Sequence, residues 1–191
     1  EAQLEAVLAV RPVSEVRIFS PTAAHCEAFA ERMRKKFSGI YSARITAVQS
    51  AEAAIANADI ITAVTVSEKP VFDGAQVKAG AHVNGVGSYM PNMQELPEAL
   101  LQRAAKIYLD ARDGVLNEAG DFLTPIKAGR FSAERITGEL GELALKKTSG
   151  RIDENEITVF KSTGTAILDV VIAQKVYERA VAQSAGTVIT L

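Results

Sequence analysis

The chain has 191 residues, 48% hydrophobic and 23% charged, with a formal net charge of −2. That balance suits one soluble globular domain, or one and a part, with a sizeable core, and offers no argument for nucleic acid or an anionic membrane surface as a partner. No apolar run reaches the ~18 residues of a membrane span, the opening residues carry no signal-peptide pattern, and the single cysteine, Cys26, excludes an internal disulfide and suits a reducing cytoplasm.

Taken in chain order, the pattern alternates between helix and strand. "EAQLEAVLAVR" begins inside a helical pattern, with Leu4, Val7 and Leu8 on one face and no N-cap, so residues upstream of Glu1 are expected. "EVRIFS" (15–20) reads as a strand. Residues 21–37 read as a helix with Pro21 near its first position and Phe29, Met33 and Phe37 at helical spacing. "ARITAV" (43–48) is a strand, 50–58 a helix capped by Ser50, and "DIITAVT" (59–65) a continuous apolar strand of the kind buried on both faces of a parallel sheet. A short helix or turn is expected in 72–80, a strand over "HVNGVG" (82–87), a helix over 95–104 and a strand over "KIYLDA" (106–111). "RDGVLNEAGDF" and "PIKAGRFS" read as turn-rich, 134–147 as a helix, "ITVFKST" (157–163) as a strand, 166–185 as a long helix and "GTVITL" as a final strand. This rhythm implies βαβ units and a mostly parallel, doubly wound α/β sheet of the Rossmann type.

In such a sheet, ligands bind beyond the carboxyl ends of the strands. Those ends read "FSPT", "VTVSEKP", "NGVGSYMP" and "FKSTGTA", each rich in small or hydroxylic residues. Gly85 and Gly87 read as room for a flat ligand, and Ser20, Thr22, Thr65, Ser67, Ser88, Ser162 and Thr163 as hydroxyls near it. Singly, each is better explained as a cap or turn residue. Together, four such ends on one sheet edge point to a dinucleotide cleft. His25 and His82 are too far apart for a local metal motif, so no metal is expected. Cys26 reads as filler, His82 as a satisfied buried histidine and Glu95 as a first-turn complement to a helix dipole.

The segments "QLEAVLAVRPVSEVRIFSPT", "ADIITAVTVSEKPVF", "GAHVNGVGSYMPNMQELP", "GDFLTPIKAGRF" and "GRIDENEITVFKSTGTAILDVVIAQKVYERA" resemble, in order, the ornithine cyclodeaminase/mu-crystallin family of NAD(P)-dependent enzymes. The resemblance implies that residues 1–165 are the dinucleotide-binding domain without its first strand and glycine-rich loop. It implies that 166–191 are a helix and strand returning to a second, largely absent, substrate and dimerisation domain. Cofactor contacts then fall on Ser20, Thr22, Thr65, Asn84, Gly85, Val86, Gly87 and Ser162, with Thr163 on the substrate side. Asp121 falls near the cleft as a cap or orienting group, and Asp169 makes a structural hydrogen bond.

At the end of the "EVRIFS" strand, the family's ribose position, Ser20 offers no carboxylate to repel a 2′-phosphate and no arginine to attract one, so the cofactor is NAD or NADP with a lean to NADP. In family members that cyclise ornithine, an aspartate stands two residues after "VG"; here that position is Tyr89, a poor general base with an ordinary pKa of about 10. Tyr89 is therefore either a substrate-facing residue at the catalytic position or a packing residue. The loop looks more like members that reduce cyclic imines such as Δ1-pyrroline-2-carboxylate. Ornithine cyclodeamination, alanine dehydrogenase-like or ketimine reductase activity, and a non-catalytic, mu-crystallin-like NADP-binding role are the alternatives. A cytoplasmic homodimer acting on a small imino or amino acid is expected.

Overall fold

The computed structural model describes residues 1–187 and 189. The strand expected over "GTVITL" includes Val188, Thr190 and Leu191 and lies outside the described residues. The elements run α1 (Ala2–Val10), β1 (Glu15–Ile18), α2 (Ala23–Phe37), β2 (Arg44–Ala47), α3 (Ala51–Ile55), β3 (Ile60–Ala63), β4 (His82–Gly85), α4 (Glu98–Arg103), β5 (Lys106–Leu109), α5 (Arg112–Glu118), α6 (Gly120–Lys127), β6 (Gly138–Glu139), α7 (Leu140–Ala144), β7 (Thr158–Lys161) and α8 (Ala166–Ala182). Single 3₁₀ turns occupy Gly74–Gln76 and Ala133–Arg135.

Every strand pairing is parallel. One sheet has the order β3-β4-β7-β5-β6, and β1 and β2 form a separate two-stranded sheet. Because parallel strands need crossover connections, all tips of the five-stranded sheet emerge on one edge. This is the Rossmann-like arrangement expected from the helix–strand rhythm. The larger core packs Ile61, Val83, Ile107, Leu109 and Val159 of the strands against Leu100, Leu101, Val115 and Phe122 of the helices. A smaller core lies around the two-stranded sheet: Cys26, Ala30, Met33 and Phe37 form the buried stripe of α2, and the last three are joined there by Leu8 and Ile45. The predicted apolar face of α1 is the one turned to that core, with Leu8 buried and Leu4 packed beside it. Arg34, Lys35 and Lys36 in the last turn of α2 complement its dipole.

Two expectations need correction. The stretch 112–127, expected as turns, is two helices, α5 and α6. Its glycines and Pro125 read as breakers. Gly120, however, starts α6 where the carbonyls of Pro91 and Met93 approach too closely for a Cβ, and Pro125 falls within α6 at the loss of one internal bond. The single helix expected over 134–147 is instead a 3₁₀ turn, strand β6 and the short α7. Pairing to β5 overrides the helical pattern there: Thr137 N donates to Ile107 O at 2.8 Å, and Ile107 N donates to Thr137 Oγ1 at 3.0 Å.

Candidate functional site at the strand tips

The tips of β3, β4, β7 and β5 are stitched edge to edge by their backbones. Val86 N donates to Ala63 O, Ser162 N to Gly85 O and Asp110 N to Lys161 O, each at 3.0 Å. This brings Thr65, the Asn84–Gly87 stretch, Ser162 and Thr163 onto one edge. Ser20 and Thr22 stand beyond β1, on the other sheet, where Thr22 is the N-cap residue of α2.

The loop that follows β4, residues 86–96, explains the cluster of glycines and asparagines in its sequence. It is not a simple turn. Gln94 N donates to Ser67 O at 2.7 Å, Gly120 N to Met90 O at 3.2 Å, and Asn92 Nδ2 to Glu68 Oε1 at 3.1 Å, so the loop is bound to the β3 side and to α6. Gly87 lets this loop lie against the backbone of Val64 and Thr65, where a Cβ would collide, and Gly85 faces Leu96, whose Cδ1 would be 2.7 Å from an added Cβ. The space these glycines open is therefore filled by the protein itself, which corrects the expectation that it is left for a flat ligand.

Glu95 lies at the centre of the loop, completely buried. The expectation that it complements a helix dipole is overturned: α4 begins at Glu98. One Glu95 oxygen accepts Thr65 N at 2.8 Å and Thr65 Oγ1 at 3.2 Å, and the other accepts Gly87 N at 2.7 Å and Ser88 N at 3.2 Å. Asp121, likewise buried, accepts Glu95 N at 2.7 Å, Leu96 N at 2.9 Å and the Ser88 hydroxyl. Its expected orienting role near the cleft matches these contacts. Between the two carboxylates lies the ammonium of Lys161, 3.0 Å from Asp121 and 3.5 Å from Glu95.

Ser162 donates its hydroxyl to Asp110 Oδ2 at 2.6 Å, and the same oxygen accepts Thr163 N and Gly164 N, so Asp110 shapes the turn after β7. Thr163 Oγ1 is the buried side-chain oxygen or nitrogen that lacks a hydrogen-bond partner among the described residues. Asn84 is inside β4, and its carboxamide is engaged by His82 Nε2 at 3.0 Å and Thr62 Oγ1 at 3.4 Å. His82, also 2.8 Å from Thr158 Oγ1, is the satisfied histidine expected. Burial holds its imidazole below the ordinary 6.5, and the charges of Arg151 and Arg11 add to that, against the opposing hydrogen bond to Asn84. Asp169 lies on the exposed α8 and makes no side-chain hydrogen bond among the described residues, so its expected structural bond is not seen.

Several apolar side chains remain exposed at these tips: Val64, Val66, Tyr89 and Met90. Tyr89 is 50% exposed, so it is not a core packing residue. Sequence reasoning missed Lys161, Asp110 and the role of Glu95. One signal was available: a lysine at the end of the apolar "ITVFK" strand, which in a central parallel position requires a buried counter-charge.

Parallel strands connected by helices, with tips that carry small residues, hydroxyls and exposed apolar side chains, place the chain among the Rossmann-like α/β proteins. The profile of the ornithine cyclodeaminase/mu-crystallin family matches residues 1–184, and the chain belongs to that family. A Δ1-pyrroline-2-carboxylate reductase of Bacillus cereus is 39% identical over 185 residues, 95% of this chain and 54% of the relative. The Thermococcus litoralis Δ1-pyrroline-2-carboxylate reductase, solved with NADH and L-proline, superposes with a TM-score of 0.92 at 34% identity, over 98% of this chain and 56% of that one. An archaeal alanine dehydrogenase dimer with bound NAD gives 0.87 at 32% identity, over 99% and 56%. The chain thus spans about half the length of the relatives it matches.

Proposed function

We propose that the full-length protein is an NAD(P)-dependent oxidoreductase of amino-acid metabolism that reduces a cyclic imino acid such as Δ1-pyrroline-2-carboxylate to the amino acid. The observation that carries this reading is Tyr89, held half-exposed on a rigid loop where the cyclodeaminating relatives are expected to place an aspartate. Ring closure with loss of ammonia needs a base at that point; imine reduction does not. The names of the reductase relatives support the same choice.

The tips fit a nicotinamide dinucleotide. Thr163 Oγ1 is a buried hydroxyl awaiting a partner, the backbone of Gly85, Val86 and Gly87 lines the adjoining tip, and Val64, Val66 and Met90 offer apolar contact for a ring. Ser162, fixed by Asp110, and Thr65, fixed by Glu95, keep their hydroxyls in place beside it. When bound, the reduced cofactor supplies the hydride. The protein's own contribution is to hold the imine carbon in line, with Thr163 and Tyr89 on the substrate side. Ser20 and Thr22 would take the adenosine ribose, and the missing carboxylate at Ser20 leaves NADPH favoured over NADH.

We further assign residues 1–165 to the nucleotide domain, and α8 with the residues after it to a second domain that also forms the homodimer. The uncovered apolar side chains of α8 (Ile167, Val171, Ile172, Val176) support that division.

The test is to incubate the full-length protein with Δ1-pyrroline-2-carboxylate and NADPH or NADH. Oxidation of the cofactor with reduction of the imine to proline, and no ammonia released from ornithine, is the expected result. Ammonia release from ornithine would make it a cyclodeaminase, and tight cofactor binding without turnover of any imine would make it a binding protein. A higher kcat/KM with NADH would reverse the cofactor preference.

A further inference from the structure

Lys161 closes β7, the third strand of five, and is fully buried. Its ammonium donates to Ser88 O at 2.6 Å and to Ser88 Oγ at 2.7 Å, besides its contacts with Asp121 and Glu95. These partners come from two pieces of chain: Ser88 and Glu95 from the loop after β4, and Asp121 from the first turn of α6. Through Glu95 the same cluster takes in the backbone of Thr65 at the tip of β3. Two carboxylates face one ammonium, so the cluster is net negative, and the balance is met by backbone N–H groups of Thr65, Gly87, Ser88, Glu95 and Leu96.

An apolar side chain of similar volume would fill this place without the desolvation of three charges. What an apolar residue lacks is direction. The ammonium's N–H groups, directed at Ser88 O and Ser88 Oγ and set between the two carboxylates, hold the loop at one register relative to β7. Tyr89 follows Ser88, and Ser162 follows Lys161, so the lock is one residue away from each wall of the proposed reaction cleft.

We propose that Lys161, with Asp121 as its partner, is a positioning residue for hydride transfer: it clamps the loop after β4 to the tip of β7 so that Tyr89 and Ser162 face the reacting atoms at a fixed separation. Lys161 touches neither substrate nor cofactor. The kinetic consequence rests on the imine-reductase reading; the clamp itself does not.

The experiment uses the full-length protein with Lys161→Met, the milder Ser88→Ala, and the double variant Lys161→Met/Asp121→Asn, which restores the cluster's original net charge and keeps an acceptor for the Glu95 and Leu96 amides. Four quantities are read: the thermal midpoint, the Kd for NADPH, kcat with its primary isotope effect from deuterated NADPH, and amide exchange at Gly87 and Ser88 against Val159. For Lys161→Met the expectation is a fall in kcat of about tenfold or more with a raised isotope effect, and a cofactor Kd within about threefold. Exchange at Gly87 and Ser88 should rise about tenfold or more, with Val159 unchanged. The double variant should recover much of the thermal midpoint while kcat and loop exchange stay impaired. Recovery of all three together, or a lowered midpoint in Lys161→Met with kcat and loop exchange unchanged, overturns the proposal. Should Lys161→Met not fold, Ser88→Ala decides: a fall in kcat of about threefold with faster loop exchange supports the clamp, and no change refutes it. If the unmodified enzyme oxidises neither NADPH nor NADH with the imine, the functional reading fails, and loop exchange alone still decides the clamp.

Discussion

Gly87 and Gly141 differ in what surrounds them, and the difference is measurable. A Cβ on Gly87 would meet backbone atoms of Val64 and Thr65, which cannot give way without separating two strand tips. Gly87→Ala should lower stability by about 2–4 kcal/mol in urea unfolding. A Cβ on Gly141, inside α7, meets nothing, and Gly141→Ala should stabilise by about 0.5–1 kcal/mol. His82 supplies a pH signature. Its folded-state pKa lies below the unfolded 6.5, so the unfolded chain takes up the proton first as pH falls. Its contribution to stability is complete above 6.5 and is lost as pH falls from there through the lowered value. In denaturant titrations across that window, the gap between the unmodified protein and His82→Gln should narrow on acidification; a constant gap would exclude the mechanism. At this scale the sequence was legible where chemistry is local, as for Cys26 and His82, whereas for Tyr89 it left packing and exposure open. It was opaque where a role depends on partners far along the chain. Nothing near Glu95 announces Thr65, Gly87 and Ser88 as its donors, and Asp121 is 26 positions away from the amide it accepts.

Among the elements, α3 shows how a short helix is held. Ala53 N donates to the Ser50 hydroxyl at 3.1 Å, and the Arg17 guanidinium donates to Ala53 O at 2.9 Å and to Ala56 O at 2.5 Å. Cap and arginine together satisfy both ends and tie the helix to β1. Ser50→Ala should cost about 1 kcal/mol by chemical denaturation, with amide exchange quickened in α3 before the rest. The strands were readable because buried parallel strands appear as apolar runs, and "DIITAVT" is one. The helices α5 and α6 were not, because Gly114, Gly120 and Pro125 mimic loop composition while tertiary contacts choose the helix. The pattern over 134–147 misled in the other direction, since the demand of β5 for a neighbour outweighed local propensity.

On the scale of the whole molecule, the two sheets have separate cores of unequal size, the larger on the five-stranded sheet and the smaller joining α1, α2, β1 and β2. Their rank order of opening follows from buried apolar area: the two-stranded part should release first under denaturant, seen as earlier exchange of the Val16 and Ile45 amides than of Val83 and Val159. Family and fold were readable from the chain because they rest on the order of strands and the composition of their tips. The clamp beneath the tips was not, because burial of Lys161, Glu95 and Asp121 exists only after the strands assemble.

Cys26 gives that rank order a chemical handle. Its thiol is buried in α2 and donates to Ile18 O, the last carbonyl of β1, at 3.0 Å. A maleimide or disulfide reagent can reach the sulfur only when α2 parts from β1, so the alkylation rate of this one thiol is a clock for breathing of the smaller lobe. Added dinucleotide that grips Ser20 and Thr22 should slow that clock, turning an inert cysteine into a binding sensor that needs no turnover.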